Sequence, residues 1–254
     1  MTSQPNPAQQ VRRSIELLWG GGGRQGRGPR PSLSLRRIVE AAIAVADRDG
    51  VDGLSMRRVA AELGVGTMSL YRYVPGKAEL LALMLDRVSE PGEELVGLAG
   101  AGWRAVLTAT AQGSYRLYRR HPWLLQVNWT RPVIGPNTLA GIELVMRSLD
   151  RLGLTDQERI SVMVLVDAYV TGLARQHIQH AAVSAETGLA DEEFWAQQGP
   201  ALSRAMESGD YPAMAALAED AFSLGWDETF EFGLRRLLDG VGALIASRTS
   251  ADAG

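Results

Sequence analysis

The 254-residue chain has no cysteine, three histidines and a single lysine, Lys77. Lacking cysteine, it has no disulfide, thiolate zinc site or cysteine nucleophile. His121, His177 and His180 leave little material for a metal enzyme. No apolar run approaches the ~18 residues needed to span a bilayer. The opening stretch MTSQPNPAQQVRR has no apolar segment of the signal-peptide kind. The sequence contains no H-E-x-x-H, G-x-S-x-G or G-x-x-x-x-G-K-[ST]. Pro75-Gly76-Lys77 holds a Gly-Lys pair, but Ala78 follows where Ser or Thr is needed. The expectation is a soluble, cytoplasmic protein that is not an enzyme and carries no cofactor or metal.

What is present suits a globular chain: 46% hydrophobic and 22% charged residues. The net charge of −3 is unevenly divided. Residues 1–87 hold thirteen basic and eight acidic side chains, +5; residues 88–254 hold thirteen and twenty-one, −8. A basic head on an acidic body suggests an anion-binding head and a body that binds something else. An uneven but solvated surface is the plainer alternative.

The apolar spacing is helical throughout, and nothing reads as a strand. Residues 1–33 read as a flexible basic arm, with one short amphipathic helix over Val11 to Trp19. Ser34 is a predicted N-cap for a helix on which Leu35, Ile38, Val39, Ala42, Ile43 and Ala46 repeat at three and four, ending at Gly50. Ser55 caps a second helix, and Thr67 a short third one from Met68 to about Val74. A fourth runs from Lys77 to about Val88. After Pro91-Gly92, further helices are expected at about 93–120, 122–130, 137–152, 155–183, 191–207, 211–222 and 227–248. The fold class is therefore all-α: an N-terminal three-helix head over 34–90, and a larger helical body over 91–250.

The second and third helices, joined by Gly64-Val65-Gly66, have helix-turn-helix proportions. A steep crossing needs a turn residue tolerant of positive φ, which Gly64 or Gly66 supplies. Leu63, Val65, Leu70 and Val74 are spaced to face a shared core. Thr67, Met68, Ser69, Tyr71, Arg72 and Tyr73 remain outside, a face suited to phosphates and base edges in a major groove. A plain helical hairpin with core tyrosines is the alternative.

The stretch from Ile38 to Leu85 strongly resembles the DNA-binding head of the tetracycline-repressor family. The features that carry it are L-S-M-R-x-V-A after Gly50, then L-G-V-G, S-L-Y-R-Y and K-x-E-L-L, over about 50 residues with one consistent spacing. In the body, Thr130-Arg131-Pro132, the long helix after Gly153-Leu154-Thr155, and the Phe230, Phe232, Gly233, Leu234, Leu238, Gly240 set are similar to the tetracycline repressors' own C-terminal domain.

The resemblance implies a ligand-responsive transcriptional repressor. Its partners would be a palindromic double-stranded DNA operator, a second copy of the chain and an unidentified small-molecule effector. It implies DNA contacts from Arg57, Thr67, Met68, Ser69, Tyr71, Arg72, Tyr73 and Lys77. Candidate effector contacts are polar or aromatic residues on otherwise apolar helices: Trp103, Thr110, Ser114, Trp123, Asn128, Trp129, Arg131, Met163, Asp167, Tyr169, Gln176 and His177. A tetracycline–magnesium complex fits poorly. Val127 and Asn128 stand where those repressors carry a metal-binding histidine, and Gln176 where they carry a glutamate. His177 and His180 read as surface histidines. The segment Arg27-Gly28-Pro29-Arg30-Pro31 is similar to a minor-groove Arg-Gly-Arg-Pro reader but differs in order; a plain linker is the simpler reading. A helical adaptor that never touches DNA is the remaining rival, and it leaves Thr67 to Tyr73 and Lys77 unexplained.

Overall fold

The computed structural model describes residues 6–20, 33–127, 132–218 and 220–251; these are helical, with no strand among them. None of these helices is long and apolar enough to cross a membrane. The arm residues 24–31 and the segment Asn128, Trp129, Thr130 and Arg131 lie outside the described residues.

The chain opens with a helix longer than expected, α1 (Pro7–Trp19). Asn6 caps it by accepting from the Ala8 N–H at 2.9 Å, and Pro7 fills the first helical position, where a missing N–H costs nothing. This part of residues 1–33 is therefore a docked helix, not loose arm: α1 packs along α5 (Lys77–Val88) and buries Ser14.

The head begins at α2 (Leu35–Gly53), where the Ser34 hydroxyl accepts from the Arg37 N–H. Gly50 kinks α2 at φ 71° rather than ending it, and the helix resumes to Gly53. Then α3 (Met56–Glu62) packs on α2, and α4 (Thr67–Tyr71) packs on α3. Ile38, Ala42, Val45, Val59, Leu70, Val74, Leu80 and Met84 form the sealed centre. Burying a side chain of this size contributes about 1.5–3 kcal/mol before the entropy of ordering it is subtracted.

The expected helix over 93–120 is two: α6 (Glu93–Gly97) and α7 (Trp103–Arg120), split by the glycines at 97, 100 and 102. The expected helix over 122–130 is a single 3-10 turn at Pro122–Gln126. Next come α8 (Pro136–Ser148) and the 32-residue α9 (Asp156–Thr187). Thr155 and Glu158 cap α9 reciprocally, and Gly188 closes it in the left-handed region. Val162, Val166, Val170 and Ala174, one turn apart, put a single stripe of α9 into the core. The chain continues with α10 (Asp191–Glu207), a short α11 (Pro212–Ala215) in place of the helix expected over 211–222, and α12 (Trp226–Ala251). Both α7 and α12 pack on α9.

Candidate nucleic-acid interface and its link to the body

The turn between α3 and α4 is built by hydrogen bonds as well as by glycine. Gly64 sits at φ 66°, its N–H donates to the Ala61 carbonyl at 3.1 Å, and the Val65 N–H reaches back to the Ala60 carbonyl at 3.0 Å. This double return satisfies the last carbonyls of α3 and sends α4 off at a steep angle. The N-cap of α4 is Gly66, not Thr67, which is the first helical residue. Leu70 and Val74 are fully buried. Their burial turns Met68 (76% exposed) and Tyr71 (44% exposed) outward, with Thr67 and Ser69 half-exposed beside them.

Tyr71 and Tyr73 part company. Tyr73 is half-buried against the core, and its hydroxyl donates to the Leu33 carbonyl at 3.1 Å. It fastens the entry to α2 rather than standing free on the outer face.

The cations of the head also divide. Arg48 lies 3.2 Å from both Asp49 and Glu62, and Arg58 lies 3.0 Å from Asp49, so these charges are locally balanced. Arg57 and Arg72 are exposed and have no hydrogen-bond or ion-pair partner among the described residues. Lys77 donates one N–H to the Val51 carbonyl at 2.9 Å and pairs with no carboxylate there. Its ammonium has two further donors, so a phosphate can share it. The head's unbalanced cations therefore stand in the first turn of α3, at the end of α4 and at the start of α5.

Among the described residues, polar contacts at Asp47 and Asp86 join this head to the body, and one at Trp19 joins α1 to it. One carboxylate oxygen of Asp47, on α2, accepts from His121 Nδ1 at 2.6 Å and from Trp123 Nε1 at 2.7 Å. Asp86, buried on α5, accepts from the Thr138 N–H at 3.0 Å and from its hydroxyl at 3.2 Å. Asp86 thereby caps α8, whose own N-cap is Gly135. A Cβ at Gly135 would lie 2.4 Å from the Asp86 carboxyl, so that position requires glycine. Finally, Trp19 Nε1 of α1 donates to the Ile134 carbonyl at 3.0 Å.

The proposed effector residues are scattered more widely than the DNA-facing ones. Trp123 is 2% exposed and its N–H is committed to Asp47, so it belongs to the junction. Trp103, Thr110 and Ser114 lie half-buried on α7; the Thr110 hydroxyl donates to the Val106 carbonyl of its own helix. Met163 is half-buried and Gln176 exposed on α9. Asp167 opens to solvent on one side, while protein packed on its flanks strips away water and raises its carboxyl above the ordinary value. Asn128, Trp129 and Arg131 fall outside the described residues.

His177 is not a surface residue. It is half-buried, stacks on Trp226 at 5.3 Å with the rings 7° apart, and its Nδ1 meets the Tyr115 hydroxyl at 2.8 Å. Tyr115 in turn stacks on Phe230 at 4.2 Å. Tyr169 donates to the Phe230 carbonyl at 2.9 Å and lies so close to Gly233 that a Cβ there would be 2.3 Å from its hydroxyl. Burial, reinforced by Arg119, lowers His177 below the usual imidazole value, and burial raises Tyr115. Both groups are thus held neutral at neutral pH. His180 stays exposed, 2.9 Å from Asp191. Tyr115, Trp226 and Phe230 were absent from the sequence-based set. Their pairing spans α7, α9 and α12, and no local pattern announces it.

Two family models match the chain. "Bacterial regulatory proteins, tetR family" covers residues 38–84, and "Tetracyclin repressor-like, C-terminal domain" covers residues 96–245. The chain belongs to the TetR family. The TetR-family head match takes in all but the ends of α2 to α5 and leaves α1 outside. The chain is 53% identical over 243 residues to the HTH-type transcriptional repressor DrrR1 of Streptomyces coeruleorubidus, covering 96% of this chain and 90% of that one. It is 33% identical to an HTH-type transcriptional regulator of Saccharopolyspora erythraea, covering 84% and 86%. Among solved TetR-family structures, ActR of Streptomyces coelicolor in complex with actinorhodin matches with a TM-score of 0.64 at 29% identity, covering 86% of this chain and 99% of that one.

Proposed function

We infer that the chain is a ligand-responsive transcriptional repressor that works as a homodimer on a palindromic operator, in the cytoplasm, without a catalytic step. The observation that carries this reading is the outer face of α4. Met68 and Tyr71 project from it, and the cations nearby that no carboxylate balances are Arg57, Arg72 and Lys77. Side chains of this kind suit a major groove and its flanking phosphates. Tyr73 is better read as a positioning residue, because its hydroxyl is already held by Leu33.

Dimerisation has a candidate surface. Ile160, Val164 and Ala168 lie one turn apart on the side of α9 opposite the buried valines, and Ile160 and Val164 are exposed. Phe232 of α12 is exposed as well. A second copy covering these groups would hold two heads at a fixed separation, as half-sites one turn of DNA apart demand.

The effector reading centres on Tyr115, His177, Trp226 and Phe230. Flat rings and neutral hydrogen-bonding groups suit an uncharged planar ligand more than a metal chelate. That ActR, a similar structure, is solved in complex with actinorhodin supports a small-molecule effector for this chain. Release then follows from a population shift: a ligand that binds better to the DNA-incompetent arrangement weakens operator binding by that difference in affinity. The Asp47, Asp86 and Trp19 contacts are the routes by which α7 and α8 can move the head.

The test is fluorescence anisotropy against the duplex upstream of the chain's own coding region, with a scrambled duplex as control, across a salt series. In the wild type, tight binding to the first duplex with a steep salt slope is expected. Arg57→Ala with Arg72→Ala should flatten that slope by about 0.9 for each phosphate no longer held, with dimer mass unchanged. No binding to either duplex at low salt would overturn the reading in favour of an adaptor.

A further inference from the structure

The helix α1 precedes the family match and needs a role of its own. It runs parallel to α5: its first half lies beside the N-terminal end of α5, and its last residue reaches Ile134, close to where Asp86 of α5 caps α8. At the first of these places, Gln10 and Arg13 of α1 line a groove of about 480 Å³ together with Gly76, Lys77 and Glu79. The groove opens at the turn that directly follows the exposed face of α4.

The side chains around this groove are largely uncommitted. Arg12 and Arg13 are exposed and have no ion-pair or hydrogen-bond partner among the described residues. Glu16, one turn further along α1, pairs with neither. Glu79 is the one carboxylate lining the groove. It is buried in the first turn of α5 and tucked against Gly76, where the positive end of the helix stabilises it. The groove therefore presents an amide, a guanidinium and an ammonium beside the apolar Pro75, Ala78 and Leu81, with a single carboxylate among them.

A phosphodiester needs donors and positive charge, which Gln10, Arg13 and Lys77 offer at this groove. If α4 faces a major groove, the DNA strand that passes Lys77 runs on past α1. Successive phosphates on that strand are close enough for an arginine to take the one after it.

We propose that α1 is a second grip on the DNA backbone, in which Gln10 and Arg13 hold the phosphate neighbouring the one reached by Lys77. The grip rests on the DNA-binding reading above and adds affinity without sequence preference, because phosphate contacts carry no base information.

The experiment uses the full chain, with anisotropy on the upstream and scrambled duplexes across a salt series. For Gln10→Ala with Arg13→Ala, the slope of log K against log salt should fall by about 0.9 per subunit, about 1.8 for a dimer. Affinity should drop by the same factor on both duplexes, so discrimination between them is kept. Arg13→Lys, which keeps the charge, should restore most of the slope, and this guards against a variant that merely loosens α1. A methylphosphonate at one backbone position should weaken the wild type and leave Arg13→Ala unaffected. A double variant with the wild-type slope would overturn the proposal while the DNA-binding reading stands. A wild type with no salt-dependent binding would instead overturn that reading itself.

Discussion

The head and the body handle polar side chains in opposite ways. In α3 and α4, Met56, Val59, Ala60 and Leu70 fill the inside, while Arg57, Met68, Tyr71 and Arg72 meet solvent directly. In α7, α9 and α12, polar side chains and rings meet between the helices: Tyr115 reaches His177, which stacks on Trp226, Tyr118 accepts from Thr171, and Tyr169 bonds the Phe230 carbonyl. A face that must meet DNA can be assembled from one short helix. A cluster that must wrap a small molecule needs groups from several helices, brought together only by the fold. Loss of an outward group should therefore change binding and leave stability alone, whereas loss of an inward group should lower stability as well.

The largest effect that would break this contrast comes from the one α4 residue sealed in the core. Leu70→Ala should cost about 2–5 kcal/mol, read as a lower midpoint in chemical denaturation, because Leu70 anchors the outer face from beneath. A loss under about 1 kcal/mol would mean that α4 is not seated as described.

The two tyrosines sharpen the contrast within a few residues. Tyr73→Phe removes the hydrogen bond to Leu33 and should lower stability by about 0.5–1.5 kcal/mol. Tyr71→Phe, at an exposed ring, should leave the melting temperature alone and weaken operator binding. If both variants behave alike in melting and in anisotropy, the division drawn between them is wrong.

The smallest effect concerns His177. Its imidazole sits below the usual 6.5 in the folded chain, so the unfolded chain takes up the proton first as pH falls. Stability from this group is therefore present above about 6.5 and is lost on acidification below it. Thermal melts between pH 8 and pH 5 should show a shallower acid loss for His177→Phe than for the wild type. Equal slopes would show that His177 is not held neutral by its surroundings.

The legible features were those set by near neighbours in sequence. Ser34 and Ser55 accept from the N–H groups of Arg37 and Arg58 as their spacing implied, and Gly64 takes the positive φ the turn requires. The cap at Gly66 was missed because a glycine N-cap leaves no side-chain signature. The start of α1 was missed although Asn6-Pro7 is a local signal, because Ala8, Gln9 and Gln10 add no large apolar residue to the helical repeat. The head-to-body contacts could not be read at all. Asp47 meets Trp123 across 76 positions, and Trp19 meets Ile134 across 115. Nothing in the local pattern marks one aspartate as a joint and another as surface, and Trp123 was accordingly taken for an effector contact.

Helix α1 is held along its length by packing on α5, beside the groove at Lys77, and at its last residue by the Trp19 bond to Ile134. Its thirteen residues make a rigid rod about 20 Å long. Because Ser14 is buried and Leu17 and Leu18 pack against the core, displacing this rod at Ile134 would also disturb the packing of α5. The two fastenings of α1, at the groove and at Trp19, are fixed in angle as well as in distance. Removing one residue between Arg13 and Trp19 would swing one fastening about 100° away from the other, leaving the helix able to keep hold of the body or of the groove, but not both.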